Sequence, residues 1–198
     1  MGKGDTTRQA ILEHATTLAT TVGLDGLSIG QLATDLGLSK SGLFAHFQSK
    51  EGLQLAVVET ASDRFTDLVV RPGLKAPRGE PRVRALMERW VAWVAATGTP
   101  GGCFFVAAST ELDDRPGPLR DAVVQRQRDW IDLLANSVRA AIAEGHFRED
   151  TDPEQLAFEL WGFALGFHHH ARLLGAPNAA SRAHAAIDRL LVSARRVA

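Results

Sequence analysis

Tyrosine is absent from the 198-residue chain, and cysteine occurs once, as Cys103. A single cysteine excludes a disulfide framework and a multi-cysteine zinc site. It fits a reducing cytoplasm. Excess charge is missing too: 22 Lys and Arg stand against 23 Asp and Glu, a net of −1. No global basic field draws the chain to nucleic acid or to anionic membranes, so a nucleic-acid site has to be local and shaped. Apolar runs are short. Stretches such as 161–167 fall far below the ~20 residues of a spanning helix. The opening MGKGDTTRQAILEHA lacks the apolar core of a secretion signal. A cytoplasmic location without membrane contact is expected. No Gly-rich phosphate loop, Ser/His/Asp signature or paired-carboxylate motif stands out. The chain is therefore expected not to be an enzyme and to need no cofactor.

What is present is an ordinary globular composition, 45% apolar and 23% charged, which rules out disorder for the bulk of the chain. Almost every apolar pattern has the helical period. Ile11, Ala15, Leu18 and Val22 recur on one face, ending at Gly23. Ile29, Leu32, Ala33 and Leu36 give a short second helix, ending at Gly37. Leu53, Val57, Ala61, Phe65 and Leu68 predict a long helix that runs to a break at Pro72. Val83, Leu86, Met87, Trp90 and Val94 predict another, closed by Gly98 and Pro100. Further stripes run from Leu119 to Ile142 and from Leu156 to Leu174, and a last helix fills most of 179–196. No stretch alternates with period two. The fold is expected to be all-α: an N-terminal helix-turn-helix unit over 1–50, a connecting helix over about 50–71, and a larger helical domain over 72–198.

The informative segment is SIGQLATDLGLSKSGLFAHFQSK, residues 28–50. Ser28 caps a helix, with Gln31 placed to complete a capping box. Gly37 permits the left-handed turn that follows. Ser39 caps a second short helix with Leu43 and Phe47 on one face, and Ser49 caps the next. Two short helices joined by a Gly turn form the helix-turn-helix pattern, whose second helix offers its N-terminal side chains to the major groove. Here those are Ser39, Lys40 and Ser41. Residues 36–50 hold no acid, and Lys40, His46 and Lys50 are the potential cations. The charge is local even though 1–50 is neutral overall.

The run from Arg8 to Leu53 resembles the DNA-binding domain of the TetR family of bacterial transcriptional regulators. The matching words are AILEHATTLATTVG and LSIGQLATDLGLSKSGLFAHFQSKEGL. Farther on, GGCFFVAASTELDDRPGPLRDAV looks like a segment of one TetR subgroup. The resemblance implies DNA contacts from Ser28, Ser39, Lys40, Ser41, Gly42, Phe44, His46 and Lys50. Two positions depart from the family. Phe44 stands where a tyrosine usually offers its hydroxyl to a phosphate, and Gly42 stands where threonine is common.

The resemblance further implies a homodimer on a pseudo-palindromic double-stranded operator, with a ligand cavity among the C-terminal helices. Ligand-responsive repression is the expected activity. A small apolar effector would favour a state that releases the operator. The alternative is an all-α small-molecule-binding or catalytic dimer without operator binding. Met87, Trp90, Phe104, Phe105, Trp130 and Trp161 are candidate cavity lining, since the Met87–Val94 helix is apolar over much of its circumference. Gly162 and Gly166, with Phe163 and Phe167, are candidates for a close helix approach at the dimer seam. The family's four-helix bundle across the two-fold axis would come from residues 118–144 and 153–174. The His168-His169-His170 run invites a metal reading. Consecutive helical residues point about 100° apart and cannot chelate one ion together, so no metal is expected. Cys103 reads as a small buried hydrophobe.

Overall fold

The computed structural model describes residues 3–95 and 100–196. Among these, helices account for every named element: α1 Lys3–Val22, α2 Ile29–Asp35, α3 Lys40–Phe47, α4 Lys50–Phe65, a π-helical turn Thr66–Val70, α5 Arg71–Leu74, α6 Glu80–Ala95, α7 Phe104–Leu112, α8 Pro118–Ala143, α9 Pro153–Arg172 and α10 Ala179–Ala194. An isolated antiparallel bridge between Phe147 and Arg195 is the sole β pairing among the described residues.

The helices start and stop where side-chain chemistry tells them to. Asp152 caps α9 by accepting from the backbone N–H of Glu154 at 2.9 Å and of Gln155 at 3.1 Å. Pro153 fills the first helical position, where no N–H is needed. The expected break at Pro72 is instead a change of register. The π turn precedes it, with the Arg71 N–H bonding five residues back to Thr66. Widening the helix there relieves the clash that a proline ring makes with the carbonyl four residues earlier. The helix then continues to Leu74. Gly98, expected to close α6, lies outside the described residues.

The predicted stripes form most of the core. Ile11, Ala15, Leu32, Leu53, Val57, Leu86, Met87, Leu134, Val138 and Leu160 are all buried. The last members of two stripes are not: Val22 and Leu68 are exposed. Each sits at its stripe's C-terminal end, Val22 in the last position of α1 and Leu68 in the π turn.

The chain divides into two compact units, each made of two stretches. The first takes 1–64 and 98–126; the second takes 65–97 and 127–198. Within the second, the Trp90 ring meets Trp161 edge-on at 5.6 Å and Phe167 at 6.1 Å. Such geometry suits the ring quadrupoles.

A polar network ties the start of α6 to the end of α10. Glu80 accepts from Arg195 Nε at 2.7 Å and from Arg195 Nη2 at 2.6 Å, while Arg84 bridges Glu80 and Asp188. The Arg195 hydrogen bonds, assisted by Arg84, hold the Glu80 carboxyl below its ordinary value of 4.5 against the opposing effect of burial. A depressed folded pKa adds stability above the unfolded value, and that stability is lost as pH falls through the folded one. Glu80→Gln is therefore expected to lower Tm by about 2–4 °C at pH 7. The gap should close progressively below pH 4.5. A gap of equal size at pH 7 and pH 3 would show that the charge is irrelevant.

Candidate functional site

The first unit presents a short helix whose two faces differ sharply. Ser39 caps α3, its hydroxyl accepting from the Gly42 N–H at 3.0 Å. Leu43 and Phe47 point inward and are buried. Lys40, Ser41, Gly42, Phe44 and Ala45 are exposed, and His46 is half-buried. Phe44 is 52% exposed. A ring that packed into the core would have placed α3 differently.

The helices that carry α3 are held by specific bonds. Ser28 accepts from the Gln31 N–H at 3.4 Å, giving one half of the expected capping box. Gln31 sends its amide nitrogen forward to Asp35 at 2.7 Å. His14 on α1 reaches the same carboxylate at 3.2 Å. The Gln31 bond, then His14, keep Asp35 below its ordinary pKa. The Arg8 guanidinium sits 5.3 Å above the Phe47 ring. Gln48 ends α3 in a left-handed conformation at φ 63°, and Ser49 caps α4 through the Gly52 N–H at 2.9 Å. Gly30 leaves room for the Lys40 side chain: a Cβ there would lie 3.2 Å from Lys40 Cε.

Lys50 has a structural task as well. Its ammonium donates to the Asp25 carbonyl at 2.6 Å. An ammonium has three donors, so this bond does not consume it.

The α1–α2 loop is gripped from a distant part of the chain, which the sequence reading missed. The Glu111 carboxylate on α7 accepts from the Leu24 N–H at 2.7 Å and the Asp25 N–H at 2.6 Å. Arg115 pairs with Asp25, and buried Gln54 donates to the Leu24 carbonyl at 2.9 Å. Gly23 makes the approach possible. Its φ is +76°, and a Cβ there would sit 2.7 Å from Glu111 Oε2. Gly101 repeats the device, donating to Thr20 Oγ1 at 3.0 Å where a Cβ would collide with the Thr20 carbonyl. The acidic residue in STELDD was visible, but nothing local paired it with a loop 86 residues away.

The other candidates separate between the units. Met87, Trp90, Trp130 and Trp161 belong to the second unit, and Phe104 and Phe105 to the first. All but Trp161 are buried, and Trp161 is half-buried. Gly162, Phe163, Gly166 and Phe167 line an apolar groove of about 190 Å³ on α9, completed by Ala183 and Ala186 of α10. Phe158, Leu165, Leu173 and Leu174 lie exposed on α9 or just beyond it, and Val192 on α10. By contrast, the exposed positions of α8 include Asp121, Arg128, Asp129, Asp132, Asn136 and Arg139. The apolar stripe of α8, including Val123, Trp130, Leu134 and Val138, is buried within the chain, so around these helices the exposed large apolar residues lie on or beside α9 and on α10 rather than on α8.

Of the three histidines, His168 is the half-buried one, and burial first, then Arg172 and His169, hold it below the ordinary imidazole pKa. His170 bonds the Gly166 carbonyl at 2.8 Å and joins the groove. No three His, Cys, Asp or Glu side chains among the described residues gather as a metal site. No helix among them is long and apolar enough to cross a membrane. Cys103 is buried at the start of α7.

An outward, acid-free second helix on a helix-turn-helix, followed by a larger helical part, defines a class: DNA-binding regulators with a helical C-terminal portion. Known proteins agree. Residues 11–57 match the family model of bacterial regulatory proteins of the tetR family, and residues 79–187 match that of the tetracyclin repressor-like C-terminal domain. The HTH-type transcriptional repressor NemR of Escherichia coli K12 is 24% identical over 173 residues, covering 84% of each chain. A TetR transcriptional regulator from Chloroflexus aurantiacus superposes with a TM-score of 0.91 at 25% identity, covering all of both chains. AibR, solved with isovaleryl coenzyme A and operator DNA, is 26% identical, with a TM-score of 0.67 over 81% of this chain and 85% of its own. The chain belongs to the TetR family. It is a DNA-binding transcriptional regulator that acts as a dimer and responds to a small-molecule effector.

Proposed function

We propose that this regulator is a cytoplasmic repressor, without enzymatic activity, that releases its operator on binding a small, largely apolar effector. Residues 1–50 would read DNA, and 72–198 would bind the effector and dimerise. The observation that carries this reading is α3, whose buried Leu43 and Phe47 leave Lys40, Ser41, Gly42 and Phe44 facing out without an acid among them. Ser28, Ser39, His46 and Lys50 flank that face and would hold phosphates. Two such helices read half-sites about 34 Å apart only in a two-fold dimer. The apolar α9–α10 face supports a seam there. Effector binding acts by linkage: it must favour the DNA-incompetent state, by about 1–3 kcal/mol.

The test is selection of bound fragments from genomic DNA, followed by affinity against salt. Lys50→Ala is expected to weaken binding about equally on all sequences and to lower the salt slope by about one per half-site. Melting must be measured alongside, because the bond to Asp25 is lost too. An unchanged slope would remove Lys50 from the phosphate contacts. Retention of no fragment at low salt would favour the binding-module alternative.

Phe44→Tyr restores a hydroxyl on an exposed ring. It is expected to keep the fold and tighten operator binding up to about fivefold, the worth of one net hydrogen bond. Weaker binding with unchanged melting would place the ring away from the DNA backbone.

A further inference from the structure

Three buried side-chain polar atoms among the described residues find no hydrogen-bond partner: Thr16 Oγ1, Thr151 Oγ1 and Trp130 Nε1. The two hydroxyls both donate and accept, and their O–H can turn about the C–O bond. The indole N–H is fixed by its ring, donates only, and sits on a side chain 5% exposed. Buried tryptophan nitrogens usually find an acceptor, because leaving one unmade costs the donor its hydration. Phe65 meets the Trp130 ring edge-to-face at 5.0 Å, and Phe65 in turn meets Trp93 at 5.2 Å. An N–H···π contact is weaker than a bond to oxygen. A trapped water needs two to four polar partners of its own, which aromatic rings do not provide.

The geometry points to Trp130 Nε1 as the polar anchor of the effector site: we infer that the effector carries a hydrogen-bond acceptor, a carbonyl oxygen, on an otherwise apolar or aromatic body that packs against Phe65 and Trp93. The inference rests on the proposed effector-releasing function and narrows its ligand class. A purely hydrocarbon ligand would leave the donor unmade. Phe65 closes α4, the helix that opens at Lys50, and the π turn begins at the next residue. π-helical turns recur at functional sites. A ligand seated on Phe65 thus touches the same helix that begins beside the recognition helix.

The test uses two probes of nearly equal shape, acetophenone and α-methylstyrene, which differ by C=O against C=CH2. The full-length protein is titrated with each while its four indole N–H resonances are followed by NMR. Trp90→Phe, Trp93→Phe, Trp130→Phe and Trp161→Phe assign them by elimination. The expected result is binding of acetophenone about fivefold to tenfold tighter than α-methylstyrene, the worth of one hydrogen bond. The Trp130 resonance should move with the ketone only. In Trp130→Phe the preference should vanish while α-methylstyrene binds as before. If that variant does not fold, the other three substitutions still assign the Trp130 signal. Equal affinities, failure of both probes to bind, or movement of another indole instead would each overturn the inference. Operator retention in the same samples keeps the two readings apart. Release of DNA by both compounds equally would sink the acceptor rule and leave the repressor reading standing. A ketone that engages Trp130 without changing operator affinity would do the reverse.

Discussion

Glu111→Ala should destabilise this protein markedly for a residue that is only partly buried. The carboxylate closes two backbone N–H groups at the end of α1, and the Leu24 side chain beside them is fully buried. Hydrogen bonds to a charged group contribute about 1.5–3 kcal/mol each, and removing the acceptor strands the donors. A loss of about 3 kcal/mol is expected, or roughly 6–12 °C in Tm for a chain of this size. Glu111→Gln keeps one acceptor oxygen and should lose about half as much. Operator affinity should drop in the same order, since the loop sets the angle at which α2 leaves α1. The measurement is thermal denaturation by circular dichroism with operator anisotropy. Were Glu111→Ala to melt within a degree of the parent, the clamp would contribute nothing.

Gly166→Leu tests the dimer with little risk to the subunit. Apart from its own helical backbone and chain neighbours, nothing lies within 4 Å of a Cβ placed there, and the same holds for Gly162. The added side chain projects into the groove that Gly166 shares with Phe163, Phe167, Arg182 and Ala183, where a partner subunit seated on that groove would have to make room for it. In a packed seam the extra bulk costs about 1–3 kcal/mol of strain at each symmetry-related position. The expected species is a helical monomer by light scattering. Its operator binding should be weaker by about a hundredfold or more, because the second half-site no longer binds intramolecularly. A variant that stays dimeric and binds normally would move the seam to the other exposed apolar residues, Phe158 and Leu173 first.

How much of this was readable beforehand follows from the range of each interaction. The caps at Ser28, Ser39 and Ser49 are local, and so were legible from spacing. Burial of Leu43 and Phe47 follows from their separation of one helical turn. The register change before Pro72 was not legible, because a proline in a helical pattern predicts a break, while a one-residue widening of the helix can equally accommodate the ring. Helix α7 was not separated from its flanks in the sequence, since FFVAASTEL has an apolar start and a polar end rather than a stripe. The Glu111 grip was invisible for the same reason that contact order slows folding: it joins residues far apart in the chain. The Tyr-to-Phe departure at 44 was legible only through family resemblance, and the structure adds that the ring is exposed.

The reading head is assembled from two separated stretches of chain, 1–64 and 98–126. This has a consequence for anyone grafting it. A chimera that transplants residues 1–50 onto a foreign sensor carries the helix-turn-helix but leaves Glu111 and Arg115 behind, and with them the fastening of the α1–α2 loop. The portable cassette is discontinuous. Exchanging operator specificity between relatives would require swapping α7 together with the first three helices, or matching its carboxylate to the Gly23–Asp25 bend in the recipient.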